Sequence, residues 1–314
     1  MRLLRHKTLL FAALTVLAII GLCDQSAYAQ KAQKIFVVKS KDIGSYNQAI
    51  DGFKQQSLPE WNLTEYDLGG TAKNGSDMLL HINQTRPDLV LAVGAKALVA
   101  INQAKIKQPV VFCMAMKPSS YDLQEINVTG ISLTISPDEQ FNILTSLSPK
   151  VKRAGVLLWK TTPPELLQTV VELARNQQVE IVPIELEGEK EIPQKLRAVI
   201  GKIDALWMLD DAYIHSKETL DFVVAITVKN NVPFMAISEV FVREGAMISL
   251  SPSYFDNGKQ TAKLVRKIFE QNLQPKDIPI SYHENPDLVI NTSTVRKIGV
   301  NIPLDILDKV KPLN

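Results

Sequence analysis

The sequence predicts an α/β protein with two lobes, each built on a doubly wound parallel sheet. Short continuous apolar stretches such as "PDLVLAVG" (87–94) alternate with segments whose apolar residues recur at helical spacing. Apolar strands joined by helices are typical of parallel sheets that are covered on both faces. Two successive series of these units, in a chain of 314 residues, indicate two lobes.

The N-terminal series begins with a β-branched strand and then a helix that carries Ala49, Ile50 and Phe53 on one face. Strands are predicted at 34–40, 61–68, 87–94, 108–115 and 127–135, and helices at 45–56, 77–84 and 96–104.

The second series opens with a helix at Pro137, since a first-turn proline followed by Asp138 and Glu139 favours a helix start. Ser216 caps a later helix. Strands are predicted at 153–159, 179–186, 204–210, 232–237 and 245–251, and helices at 137–147, 164–176, 192–200, 216–229 and 256–271. The tail, 279–303, is predicted to hold two short strands and a helix.

Residues 1–29 have the pattern of a secretory signal peptide. Three basic residues precede the apolar stretch 9–22, and Ala27-Tyr28-Ala29 fits a signal-peptidase site. We expect cleavage after Ala29 and a periplasmic protein. A retained membrane anchor is one alternative, although the apolar stretch is short for a span. Lipidation at Cys23 is another, which the bulky Leu22 disfavours.

The composition of the mature chain argues against several classes of function. Without residues 1–29, acidic and basic residues are equal in number, which argues against nucleic acid and strongly anionic membranes as partners. Cys113 becomes the only cysteine, and its apolar strand indicates a buried residue instead of a nucleophile. Dinucleotide, P-loop, nucleophile-elbow and metal-ligand motifs are missing from the sequence. We therefore expect no metal, no cofactor and no enzymatic activity.

The two lobes are predicted to be joined by several segments. We assign residues 30–134 and 253–274 to the N-terminal lobe, and residues 135–252 and 275–314 to the C-terminal lobe. Crossings near 134–137, 251–253 and 274–279 allow the lobes to hinge but not to separate.

Candidate ligand-binding residues are those that follow the strands. Ligands of open α/β sheets bind beyond the carboxyl ends of the strands, where helix N-termini present free N–H groups. In the N-terminal lobe this rule selects Ser40, Ile43, Ser45, Gly94, Ala95, Lys96, Ala115, Met116 and Lys117. In the C-terminal lobe it selects Trp159, Thr161, Asp210, Asp211 and Glu239.

Each of these residue types also has an ordinary structural role. Asp210 or Asp211 can accept a hydrogen bond from a ligand ammonium or hydroxyl, or one can cap the next helix while the other is solvated. Trp159 offers a flat face to a ligand or packs in the core. Gly94 permits close backbone approach or forms a tight turn. Lys117 binds a ligand carboxylate or stays in solvent.

Five segments resemble, in order and spacing, one group of bacterial ABC-transporter substrate-binding proteins that includes tryptophan- and tyrosine-binding members. They are "LVLAVGAKALVAINQA", "QPVVFCMAMKPSSYDL", "NVTGIS", "VPFMAISEVFVREGAMISLSPSYFDNGKQTAKLVRKIF" and "NTSTVRKIGVNIP". The resemblance implies a type I periplasmic-binding-protein fold, with three crossovers and a ligand between the lobes.

The resemblance also aligns particular residues. Asp210-Asp211 matches a polar strand end, and Glu239 matches a short loop. Ala95 stands where the group usually has Thr or Ser, and Lys117 where it usually has Asp. If those two positions hold the charged ends of an amino acid, the ligand here is anionic or neutral instead.

The function predicted is that of an exported, monomeric solute-binding protein that captures a small molecule by hinge closure and delivers it to an ABC permease. One alternative is a sensory binding protein that presents its closed form to a membrane receptor kinase. Another is a cleft enzyme that uses Asp210, Asp211 and Glu239 as acid and base.

Overall fold

The computed structural model describes residues 32–71, 76–116, 121–123, 126–148, 150–209 and 214–311. The predicted signal peptide, with Cys23 and the cleavage site after Ala29, lies outside the described residues. So do three predicted site residues, Lys117, Asp210 and Asp211. Within the described ranges, no helix is both long and apolar enough to cross a membrane.

The described chain alternates between strands and helices. The strands are β1 (Gln33–Lys39), β2 (Trp61–Asp67), β3 (Leu89–Val93), β4 (Val110–Ala115), β5 (Val128–Ser132), β6 (Arg153–Trp159), β7 (Glu180–Leu186), β8 (Ala205–Met208), β9 (Phe234–Ala236), β10 (Ile248–Ser251), β11 (Asp287–Ile290) and β12 (Val310–Lys311). The helices are α1 (Gly44–Gln55), α2 (Ser76–Thr85), α3 (Ala95–Gln103), α4 (Pro137–Leu147), α5 (Pro164–Asn176), α6 (Ile192–Val199), α7 (Lys217–Lys229), α8 (Glu239–Arg243), α9 (Tyr254–Gln271), α10 (Thr292–Ile298) and α11 (Leu304–Leu307).

Two sheets confirm the predicted pair of α/β lobes. The N-terminal sheet has the order β2-β1-β3-β4-β5, and all its strands are parallel. The C-terminal sheet has the order β12-β11-β10-β9-β8-β6-β7, and β11 is antiparallel to β10. The order of winding reverses between β1 and β3, and again between β6 and β8, so each lobe has one topological switch point.

Each sheet is covered on both faces, as its continuous apolar strands predict. In β1, Ile35 and Val37 belong to one hydrophobic cluster, whereas Phe36 and Val38 belong to another. Successive side chains of a strand point to opposite faces, so the two clusters lie on the two sides of the sheet. The C-terminal sheet likewise separates two clusters.

The chain passes between the lobes at the carboxyl ends of strands. The first crossover follows β5, and the second joins β10 to α9. Helix α9 packs on α1 of the N-terminal lobe so tightly that a Cβ atom on Gly258 would lie 1.8 Å from the carbonyl oxygen of Ala49. The third crossover leads from α9 back to β11 in the other sheet.

Some element boundaries differ from the prediction. The strand predicted at 204–210 is shorter, since β8 ends at Met208. Glu239 begins the short helix α8 where a loop was expected. In the tail, β11 and α10 match a predicted strand and helix, but the second strand is β12 at Val310–Lys311, outside 279–303. The strand β12 forms by pairing with β11. A local sequence pattern does not predict that pairing.

Candidate ligand-binding site

The switch point of the N-terminal lobe is organised by Ser40, which directly follows β1. Its buried hydroxyl donates a hydrogen bond to the carbonyl oxygen of Val93 at 3.0 Å and accepts one from the Ala97 N–H at 2.9 Å. Ser40 therefore supplies the side-chain cap that the first turn of α3 does not obtain from Gly94. The hydroxyl has both partners within the protein, so it positions the start of α3.

Gly94, which precedes α3, has a backbone conformation that only glycine adopts readily. Its φ is 92° and its ψ is 161°. A Cβ atom there would lie 2.6 Å from the Ser40 Oγ and 2.7 Å from Cζ of the Tyr46 ring. The atoms that approach Gly94 closely are thus those of two side chains of the protein itself, Ser40 and Tyr46. Sequence reasoning missed Tyr46, which lies in the first turn of α1 and so beyond the carboxyl end of β1.

A pocket of about 350 Å³ opens beside this switch point. It is lined by Gly70, Thr71, Ala95, Lys96 and Val99. The Lys96 Nζ donates a hydrogen bond to the Gly70 carbonyl oxygen at 2.8 Å, which links two of the lining residues. The structure therefore brings the predicted residues Ala95 and Lys96 together with three residues that the strand-end rule did not select.

Large apolar side chains are exposed along the carboxyl edges of both sheets. Ile43 after β1 is 39% exposed, Met116 after β4 is 44% exposed, and Val240 after β9 is 63% exposed. Tyr254, which follows the second crossover, is 37% exposed. These side chains offer apolar surface at the strand ends where a ligand would bind.

In the C-terminal lobe, Trp159 ends β6 at the second switch point and is half-buried against the core. Thr161 is exposed in the turn that follows, where the Thr162 N–H donates to the Trp159 carbonyl oxygen at 2.8 Å. Glu239 is half-buried, and its carboxylate accepts a hydrogen bond from the Arg243 Nε at 3.0 Å. The charge of Glu239 is therefore already balanced inside α8.

The remaining predicted residues have less distinctive surroundings. Ser45 is half-buried in α1, and the side chain of Ala115 is fully buried, which leaves only its backbone for a ligand. Among the described residues, no three His, Cys, Asp or Glu side chains are grouped in a way that could hold a metal ion.

The carboxyl edges of both sheets lead into the crossovers. Asn257 of α9 accepts a hydrogen bond from the Met114 N–H at 3.1 Å and donates one to the Ser132 carbonyl oxygen at 3.4 Å. The N–H of His283, in the third crossover, donates to Thr134 in the first at 3.3 Å. Parallel strands end at one edge of a sheet, so both edges border the same joint. This arrangement defines a two-lobed α/β solute-binding class of protein.

The chain belongs to the ABC transporter substrate-binding protein family, whose sequence profile matches residues 40–312. This finding confirms the resemblance seen in the sequence. The family, and the relatives described next, are substrate-binding proteins.

Three known bacterial proteins are similar to this chain. The tyrosine-binding protein of Clostridioides difficile is 24% identical over 223 residues, a match that spans 68% of this chain and 64% of the relative's length. A ligand-free, open substrate-binding protein with adhesive properties from Clostridium difficile has a TM-score of 0.71 at 18% identity, covering 90% of this chain and 99% of its own. An ABC domain from Streptococcus pneumoniae in complex with L-Trp has a TM-score of 0.56 at 19% identity, covering 89% and 99%.

Proposed function

We propose that the protein captures a small organic solute between its lobes and delivers it to an ABC importer in the membrane. The observation that carries the proposal is that both sheets present their carboxyl edges to the same joint. A solute that contacts both edges favours the arrangement in which the edges are close, and so shifts the population toward a closed form. The closed form is the one that an importer would recognise.

The chemistry of the edges supports an aromatic solute that carries a carboxylate. The half-buried rings of Tyr46 and Trp159 and the exposed side chains of Ile43 and Met116 offer apolar surface at strand ends. The first turn of α3 offers backbone N–H groups beside the pocket, which suit a carboxylate. A tyrosine-binding relative and an L-Trp complex make aromatic amino acids the first ligands to test.

The end of the solute opposite its carboxylate is assigned to the loop that follows β8. We propose that Asp210 or Asp211 accepts hydrogen bonds from a ligand ammonium. The substitutions that the sequence carries at Ala95 and Lys117 favour a second class of ligand, an aromatic acid without an ammonium group. The two classes differ by one functional group and can be separated by experiment.

Calorimetric titration tests both classes of ligand. The protein is first unfolded and then refolded, so that any bound ligand is removed. The panel is L-tyrosine, L-tryptophan, 4-hydroxyphenylacetate, which lacks the ammonium, and tyramine, which lacks the carboxylate. We expect saturable binding of carboxylates and none of tyramine. If no panel member binds at millimolar concentration, the aromatic assignment is wrong.

Substitution of the acids tests their role within the same panel. Asp210→Ala or Asp211→Ala should weaken L-tyrosine about tenfold, the effect of losing one charge-assisted hydrogen bond, and leave 4-hydroxyphenylacetate unchanged. Asp221→Ala is the control, because Asp221 lies on α7 and pairs with Lys217 at 2.9 Å. Full L-tyrosine affinity in both single variants would exclude the ammonium contact.

Export to the periplasm is proposed from the signal-peptide pattern of residues 1–29. Periplasmic protein should begin at Gln30 when its N-terminus is sequenced. Recovery of the uncleaved chain in the membrane fraction would instead support a retained anchor.

A further inference from the structure

One histidine connects all three crossovers. His283 lies in the third crossover and is 1% exposed. Its backbone N–H donates to the Thr134 carbonyl oxygen of the first crossover at 3.3 Å. Its ring Nε2 accepts a hydrogen bond from the Ser253 N–H of the second crossover at 3.2 Å. The contact with the first crossover is made by the backbone, whereas the contact with the second uses a side chain that can be protonated.

The bond to Ser253 specifies the form of the imidazole ring. Because Nε2 accepts a hydrogen bond, the neutral ring carries its proton on Nδ1, which is buried. A second proton has to go to Nε2, where it replaces the lone pair that Ser253 uses. Ser253 is also the N-cap of α9, since its hydroxyl accepts from the Asp256 N–H at 3.3 Å. Protonation thus breaks the contact at the point where α9 begins.

Two carboxylates act directly on the protonation of the His283 ring. Asp256 on α9 and Asp287 at the start of β11 both favour its protonated form. Each carboxylate already has a lysine partner, Lys259 at 2.9 Å and Lys311 at 2.8 Å. Burial outweighs both and lowers the pKa of His283 below its ordinary value of 6.5.

Two further acids, Glu139 at the start of α4 and Glu284 in the third crossover, line a pocket of about 460 Å³ that His283 also lines. The pKa of Glu139 is raised, chiefly by burial and further by Asp138 and Glu284. At neutral pH the histidine is uncharged and the link to Ser253 is intact. The link is lost as the pH falls below 6.5 through the lowered pKa of the folded protein.

We propose that His283 is a positioning residue for lobe closure, whose neutral ring holds the second crossover to the third and whose protonated ring releases it. This inference rests on the proposed function, in which the solute is captured by closure. It predicts that the range of lobe arrangements is set by pH even without a solute. A looser joint must be ordered when solute binds, so acid weakens binding.

The test measures the distance between the lobes in ligand-free protein. Spin labels are placed at Lys107→Cys, before β4, and Lys229→Cys, at the end of α7, both exposed positions. Cys113 is buried and does not compete for the label. We expect the distance distribution to widen between pH 7.5 and pH 5.

His283→Gln keeps an acceptor oxygen for Ser253 and does not titrate. The distribution of distances between the two labels in this variant should stay narrow at both pH values. His81→Gln and His215→Gln, which alter exposed histidines, should respond as the parent protein does. An identical pH response in the parent and His283→Gln overturns the proposal.

Ser253→Pro removes the donor of the hydrogen bond between Ser253 and His283. This variant tests the proposal if His283→Gln does not fold. Ser253 has φ of −76°, which proline adopts, and the substitution removes the N–H that binds His283 together with the hydroxyl that caps α9. Ser253→Ala, which removes the hydroxyl and keeps the N–H, is the matched control. The distance distribution of Ser253→Pro should be wide at pH 7.5, and that of Ser253→Ala should stay narrow. A narrow distribution in Ser253→Pro at that pH, in protein with native circular dichroism, overturns the proposal.

A second measurement separates this inference from the proposed function. The dissociation constant for L-tyrosine should rise about fivefold from pH 7.5 to pH 5, the effect of one lost hydrogen bond, and stay constant in His283→Gln. If L-tyrosine does not bind at either pH, 4-hydroxyphenylacetate takes its place; if neither binds, the proposed ligand class is wrong, and the distance measurement still decides the role of His283.

Discussion

Gly94→Ala should destabilise the N-terminal lobe strongly, although it adds a single methyl group. The backbone at Gly94 has φ of 92° and ψ of 161°, a region where a non-glycine residue costs about 1–3 kcal/mol. The new Cβ atom would also lie 2.6 Å from the Ser40 Oγ and 2.7 Å from Cζ of Tyr46. Relieving such overpacking costs about 1–3 kcal/mol more. The expected loss of unfolding free energy is therefore about 2–6 kcal/mol.

Urea unfolding followed by circular dichroism measures this loss. With a slope of about 3 kcal/mol per M, the midpoint should fall by about 0.7–2 M. Gly188→Ala is the matched control, because a Cβ atom there has nothing within 4 Å and the residue has φ of −168°. It should change the unfolding free energy by less than about 0.5 kcal/mol. Equal midpoints for the two variants would refute the argument.

Three further predictions concern buried contacts. Gly258→Ala should separate α9 from α1, since its Cβ atom would lie 1.8 Å from the Ala49 carbonyl oxygen, and thermal denaturation should detect a loss of about 1–3 kcal/mol or more. The Cys113 thiol, whose pKa is raised by burial to about 12, should react with a disulfide reagent only after unfolding; rapid reaction of native protein would contradict its burial. Gln140→Leu leaves the buried Trp207 Nε1–H without its acceptor at 3.0 Å and should cost about 1–3 kcal/mol in urea unfolding, whereas an unchanged midpoint would show that the bond contributes nothing.

Local patterns predicted many individual elements. The run Arg153–Trp159 is β6, and the segment Pro137–Leu147 is α4, with Ser136 as its cap. Ser216 caps α7 as predicted. These elements depend on residues close in sequence, either through apolar runs or through hydrogen bonds to the first turn of a helix. Such short-range interactions can be predicted from the sequence without a tertiary structure.

The site was predicted in part. The strand-end rule selected Ala95 and Lys96, which line a pocket, but it did not select Tyr46, Gly70 or Val99. Their proximity depends on which strands are neighbours in the sheet. For Gly94 the sequence allowed two roles, a tight turn or a backbone that other atoms approach closely. The structure shows that the side chains of Ser40 and Tyr46 approach it.

What the sequence alone determined is therefore the alternation of strands and helices, the two lobes and the family, because these follow from short-range patterns and from the order of motifs along the chain. Only the tertiary structure decided that β11 runs antiparallel to β10, that α9 packs within the N-terminal lobe directly against α1, and that His283 joins three crossovers. Ser253 and His283 are 30 residues apart in sequence. No periodicity of the chain encodes a contact between such positions, since it forms only when the lobes have packed.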